Sequence, residues 1–208
     1  MAHIILVHGL GATDKSWFEI PSTLEAAGHT VDAVLLPGSI LSGLNDFTAK
    51  ISSTLQAGNP SVLIGHSMGG VSISQAAAEN PDSVSQLIYV TALVPKDGES
   101  AGGIIGGLGT SFDKVGNEFD RVGVGRNHPA RRFPVFGALM GEFRSGANFA
   151  DIPKHYVRCT ADTVVMPLKQ AEMINKWPGT TESAVSAGHI PQKEVPDELS
   201  RCLLEAIL

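Results

Sequence analysis

The chain is short of cysteine, of basic charge and of long apolar runs, and each shortage removes a class of protein. Its two cysteines, Cys159 and Cys202, lie in apolar surroundings without metal-ligand spacing. They are expected to be buried free thiols in a reducing compartment, not a disulfide or a metal framework. Lys and Arg number 15 against 21 Asp and Glu, a net charge of −6. That balance, with no basic run interleaved with aromatics, gives no reason to expect nucleic acid or an anionic membrane as partner. No segment approaches the ~20 apolar residues of a membrane span. The N-terminal run Ile4–Val7 is too short for the apolar region of a signal peptide and lacks a basic flank and a cleavage site. A cytoplasmic protein is expected.

What is present is a core-forming chain of 208 residues, 43% hydrophobic, a length compatible with a single α/β domain. Short apolar runs alternate with helix-period segments, which predicts βαβ units and a mostly parallel, doubly wound sheet of about six strands. The expected strands are 4–7, 31–36, 62–65, 87–91, 156–159 and 182–186. They are rich in Val, Ile and Leu without strict alternation, as when helices cover both faces. Helices are expected over 17–27, around Phe47, Ile51 and Leu55, over 68–79 and 164–176, and along the stripe Val195, Leu199, Leu203 and Ile207. From about 96 to 153 the rhythm lapses into glycine-rich sequence. A loop so long is unusual in a compact domain, so a cap-like insertion carrying short helices is expected within one domain spanning 1–208. Its apolar residues Phe133, Phe136, Leu139 and Met140 either line a hydrophobic pocket or fill core beneath the insertion.

The most informative stretch is Gly65-His66-Ser67-Met68-Gly69-Gly70, which follows an apolar strand and precedes a helix. This is G-x-S-x-G in the strand–turn–helix setting of a nucleophile elbow. The sharp turn lifts the serine hydroxyl above the sheet, and residues two before and two after it must be tiny. The following helix turns its positive dipole end toward the site of attack. Ser67 is therefore the candidate nucleophile.

Strand 4–7 ends in His8-Gly9-Leu10-Gly11-Ala12, a loop able to turn a backbone N–H toward that serine. Leu10 and Met68 are the candidate oxyanion-hole donors through backbone, with Gly11 competing for the first place. His8 sits too close to this loop to act as base and is expected to hold it in shape. Of the seven histidines, His189 follows the last strand and precedes the last helix, where the chain order Ser, acid, His places the general base. Asp162, after the penultimate strand, is the candidate acid, and Asp97, after strand 87–91, is its competitor. No metal and no organic cofactor is called for by this set.

Together these residues resemble the α/β-hydrolase superfamily, in the branch of plant methylesterases and hydroxynitrile lyases. The matching segments are Ile5–Gly9, Gly28–Val31, Leu63–Gly70, Tyr156–Asp162 and Gly188-His189. The elbow is specific only to the superfamily. Arg158-Cys159-Thr160-Ala161-Asp162 is the branch-level match, and it supports Asp162 as the acid. The resemblance implies an α/β-hydrolase fold and a serine hydrolase acting on a small-molecule ester through an acyl-enzyme. Lyases of the branch carry threonine after the oxyanion-loop histidine and lysine after the catalytic histidine. Gly9 and Ile190 stand there instead, which favours an esterase. Lactonase, thioesterase and amidase chemistry use the same constellation, and a hydrolase-fold receptor with little turnover is the rival from another class. The insertion is shorter than the helical cap usual in the family, so substrate identity and oligomeric state are not legible.

Overall fold

The computed structural model describes residues 1–109 and 111–207. Six strands, β1 (His3–Val7), β2 (Thr30–Val34), β3 (Ser61–His66), β4 (Val84–Val90), β5 (Lys154–Cys159) and β6 (Thr181–Val185), form one sheet in the order β2-β1-β3-β4-β5-β6. Every pairing is parallel. Eight α-helices are described: α1 (Ile20–Ala26), α2 (Leu44–Ser52), α3 (Gly69–Glu79), α4 (Ala101–Leu108), α5 (Phe112–Arg121), α6 (Pro167–Ile174), α7 (Pro191–Glu194) and α8 (Pro196–Ala206).

Side-chain alternation along each strand divides the core. Ile5, Val7, Leu63, Leu87 and Tyr156 face one side and join Phe47 of α2 and Ile73 of α3. Ile4, Leu6, Val62, Ile64, Ile88 and Val157 face the other, against Ile20 and Leu24 of α1 and Leu199 and Leu203 of α8. With both faces covered, the central strands β1, β3 and β4 have almost no solvent face to mark with polar residues. The edge strands keep exposed polar residues, Thr30 and Asp32 in β2 and Thr181 and Glu182 in β6. Cys159 and Cys202 are both free and buried on the second side. Among the described residues no helix is long and apolar enough to cross a membrane.

Several helix ends differ from the sequence-based expectation, each for a local reason. The stretch 17–27 is divided: a 3-10 turn spans Asp14–Trp17 under a Thr13 cap, Phe18 takes φ 47°, and α1 restarts with proline in its first turn. Helix α6 begins at Pro167 and not at Val164, because the proline holds Met166 before it in an extended conformation (φ −54°, ψ 147°) and itself suits the first turn of a helix. Leu55 lies beyond the end of α2.

The sheet register aligns the carboxyl ends of the strands. Val7 pairs with Gly65, His66 with Val90, Val90 with Val157, and Cys159 with Val185. The residues that follow each strand therefore emerge along one edge. The chain order reverses between β1 and β3, and the crevice outside such a reversal is where ligands bind in open α/β sheets.

Between β4 and β5 the glycine-rich stretch carries α4, α5 and 3-10 turns at Phe136–Leu139 and Phe149–Asp151. Helix α4 forms despite four glycines because Ser100 caps it, accepting from the Gly103 N–H at 3.1 Å, and Ala101, Ile104 and Leu108 are buried. The last turn is tied to β5 by the buried Lys154. Its ammonium donates to the carbonyls of Phe149 and Ile152, each at 2.7 Å, and lies 4.4 Å from the Phe149 ring centre. Burial lowers its pKa to about 8. Lys154→Met should strand those carbonyls and reduce unfolding stability by about 2–4 kcal/mol, read from urea denaturation.

Candidate active site

The first feature of the edge is backbone strain. Ser67 has φ 54°, a left-handed conformation that non-glycine residues adopt only when the surroundings impose it. The glycines flanking it explain how. A Cβ on Gly65 would lie 2.8 Å from the carbonyl of Gly69, across the turn. A Cβ on Gly69 would lie 2.5 Å from the Val7 carbonyl oxygen, so this glycine is required by the end of β1 and not by the turn itself. The tight turn is held by the Ser67 N–H donating to Val90 O and by Leu93 N and Gly70 N donating to Ser67 O.

The structure brings Ser67, His189 and Asp162 together. The Ser67 hydroxyl lies 2.9 Å from His189 Nε2, and His189 Nδ1 lies 2.8 Å from Asp162 Oδ2. All three residues are buried, Ser67 being 8% exposed. Asp162 Oδ1 accepts from the N–H groups of Val164 (2.7 Å) and Val165 (3.0 Å), and Oδ2 also accepts from the Thr91 hydroxyl. Burial pulls the carboxyl toward its neutral form, but the nearby His189 and these hydrogen bonds outweigh it and hold the pKa below the usual value. Such a chain can polarise a hydroxyl and receive its proton on an imidazole kept in one orientation.

Asp97 is elsewhere. It is exposed and accepts from Ser145 N–H and hydroxyl. Thr91 was not anticipated. It sits at the end of β4 with φ 39°, and its only signal in the sequence is a hydroxyl residue at the carboxyl end of a central strand.

Two further histidines are structural. His8 donates from Nδ1 to Gly9 O (2.9 Å) and accepts the Leu36 N–H at Nε2 (3.2 Å), which fixes the loop after β1. His66 donates from Nε2 to the backbone carbonyl of His189 at 2.7 Å. Burial pushes their pKa values down, to about 4 for His8 and about 3 for His66, the latter also repelled by His189. Both are neutral rings at ordinary pH.

Gly9 abuts the elbow: a Cβ there would lie 2.8 Å from Ser67 Cβ. Leu10 and Met68 flank the serine, and among the described residues neither backbone N–H has a protein acceptor. Leu10, Ser67 and Met68 line a narrow apolar cleft of about 20 Å³, closed by Ile105, Leu108 and Val115 of α4 and α5. Through Leu10 and Val115 it adjoins a cavity of about 520 Å³ bordered by Phe133, Phe136 and Arg132. Of the apolar residues in this stretch, Phe133 and Phe136 thus border a cavity, Leu139 is buried and Met140 is exposed.

A six-stranded parallel sheet with a strained serine, a histidine and an aspartate at one edge defines an α/β-hydrolase-type protein. The comparisons agree. Residues 4–201 match the alpha/beta hydrolase family, and the chain belongs to it. Methylesterase 1 of Arabidopsis thaliana is 23% identical, covering 98% of this chain and 95% of that protein. Among solved structures, a pyrethroid hydrolase from Sphingobium faniae superposes with TM-score 0.84 at 22% identity over 98% of this chain and 96% of that one. A methylesterase from Arabidopsis superposes with TM-score 0.81 at 20% identity over 99% and 98%.

The buried neutral histidines set an acid limit. His8 and His66 bind protons more readily unfolded than folded, so their contribution to stability is complete above about pH 6.5 and declines as pH falls toward their folded values. Asp162, depressed in the fold, adds a loss at still lower pH. Unfolding free energy from urea titrations should drop by several kcal/mol, on the order of 2–3 per histidine, between about pH 7 and pH 4. A flat profile would contradict these assignments.

Proposed function

We propose that this chain is a serine esterase that cleaves a carboxylic ester of a small hydrophobic substrate through an acyl-enzyme. The observation carrying the proposal is the unbroken hydrogen-bonded series Ser67–His189–Asp162 at the carboxyl edge of the sheet. Ser67 attacks the ester carbonyl while His189 takes its proton. The oxyanion meets the N–H groups of Leu10 and Met68, and protonated His189 then delivers its proton to the leaving alcohol. Water, activated by the same imidazole, releases the acid.

Leu10 is preferred to Gly11 as the first donor because it shares the cleft with Ser67, whereas Gly11 borders only the larger cavity. Esterase is preferred to lyase because position 9 carries no hydroxyl and position 190 is a buried isoleucine instead of a lysine. The printed names of the relatives, methylesterases among them, support the same class of reaction. The apolar lining of the cleft supports a hydrophobic group beside the scissile bond, with the larger cavity receiving the rest of the substrate. The free, buried cysteines fit a reducing, cytoplasmic setting.

The test is covalent labelling by a fluorophosphonate followed by turnover of p-nitrophenyl esters of graded acyl length. Ser67→Ala should abolish labelling and lower kcat roughly 10⁴-fold or more while the fold is retained. Labelling without turnover of any ester would favour a small-molecule receptor. Labelling that survives Ser67→Ala would remove the nucleophile assignment.

A further inference from the structure

Helix α5 contributes more than a wall to the cleft. On it, Glu118 and Arg121 form an i,i+3 ion pair, with Glu118 Oε2 accepting from Arg121 Nε at 2.9 Å and Nη2 at 2.7 Å. The same Nη2 lies 2.7 Å from Glu194 Oε1 on α7. One guanidinium thus joins two carboxylates that would otherwise repel each other. Glu118 and Glu194 are largely shielded, with side chains 10% and 17% exposed.

Each carboxylate reaches a loop of the candidate site. Glu194 Oε2 accepts the N–H of Gly188 (3.1 Å), and Oε1 accepts the N–H of Ile190 at the longer distance of 3.4 Å. Glu194 therefore holds the residues immediately before and after His189. Glu118 Oε1 accepts the hydroxyl of Thr163, next to Asp162, at 3.0 Å. Gly188 is the floor of this assembly: a Cβ there would lie 3.0 Å from Glu118 Oε2 and 3.1 Å from Glu194 Oε1. Beneath it, Ile190 packs with Phe119 of α5 and Ala12 of the loop after β1.

We infer that Glu118, Arg121 and Glu194 form a charged clasp through which α5 positions His189 for proton transfer. They are positioning residues and touch no reacting atom. The inference rests on the esterase reading for its kinetic consequence. Its geometric content, that the clasp sets where His189 sits against Asp162, stands independently. The clasp also ties the wall of the cleft to the base. Val115 of α5 lines the cleft at Ser67, and Glu118 and Arg121 of the same helix reach the loops of Asp162 and His189.

The test uses the full chain with Arg121→Ala, Arg121→Lys and the milder Glu194→Gln. Three quantities are read: kcat and KM on p-nitrophenyl acetate, the rate of fluorophosphonate labelling, and the downfield proton resonance of the Asp162–His189 hydrogen bond. Arg121→Ala should lower kcat and labelling about 10- to 100-fold with KM within about threefold, and broaden or abolish the resonance. Arg121→Lys should recover part of the loss, and Glu194→Gln should fall between it and the wild type. Measured well below the unfolding temperature, these losses should not scale with the folded fraction. If Arg121→Ala keeps both the resonance and kcat within about twofold of wild type, or loses kcat only as it unfolds, the clasp does not position the base. If wild-type protein shows neither turnover nor labelling, the esterase reading fails, and the resonance alone still decides whether the clasp orients His189.

Discussion

Four hydrogen bonds converge on the Asp162 carboxylate, and the rest of the site is arranged around that buried charge. A carboxylate removed from water is costly unless nearly every lone pair is met. Here the donors come from the end of β4 (Thr91), from the loop after β5 (Val164 and Val165) and from the loop after β6 (His189). Satisfying one ion therefore fixes three chain segments relative to one another. The Val164 and Val165 amides close a capping turn on the Asp162 side chain, and the chain then extends at Met166 before α6 begins at Pro167.

Ser67, the proposed nucleophile, is fixed by a different means, close packing of backbone. Gly65 and Gly69 let the turn approach itself and the end of β1, and the positive φ of Ser67 follows from that approach. His66, between them, packs its ring between Trp17 and His189. It reaches under the site and holds the carbonyl of His189. His189 is thus constrained at its ring by Asp162, at its carbonyl by His66, and at both neighbouring N–H groups by Glu194. An imidazole held this way has little orientational freedom left to lose, which suits His189 to its proposed role as general base.

The sheet and the elbow were legible in the sequence because each rests on a local rule. Apolar runs bounded by turns marked all six strands to within a few residues. The glycines about Ser67, with an apolar strand before and a helix after, marked the turn. Asp162 and His189 were legible by place in the chain order, and the structure puts both within hydrogen-bond reach of their partners. Thr91, Glu118, Arg121 and Glu194 were not legible, since their significance lies in contacts between segments far apart in the chain: Thr91 with Asp162, Glu118 with Thr163 and Arg121 with Glu194. The helix starts at Pro167 and Ile20 differ from the expectation for local reasons: Pro167 keeps the residue before it extended, and at Phe18 an unusual φ interrupts a run whose apolar spacing looks continuous. Short helices within 96–153 were expected but not placed; in α4 glycine weakens helix propensity and is overruled by the burial of Ile104 and Leu108.

The apolar residues of the insertion, Ile104, Leu108, Leu139, Phe143 and Phe149 among them, share one core cluster with Leu63 and Leu87 of the sheet, so its helices borrow the surface of the hydrolase body. The places it lands are the loops at the carboxyl edge. Residues 128–132 run along the loop after β1, with Thr13 N–H donating to Ala130 O and Arg132 N–H to Gly11 O. Arg132 also donates to Leu36 O, the residue whose N–H is held by His8. Helix α5 lands on the loops of Asp162 and His189 through Glu118 and Arg121. A larger cap could pack against itself and move as a body over a finished site. A short one anchored on the loop after β1 at one end and, through Glu118 and Arg121, on the loops after β5 and β6 at the other is part of what holds those loops in place. On the proposed esterase mechanism, sequence changes in the insertion should therefore alter the placing of His189 as well as the choice of substrate.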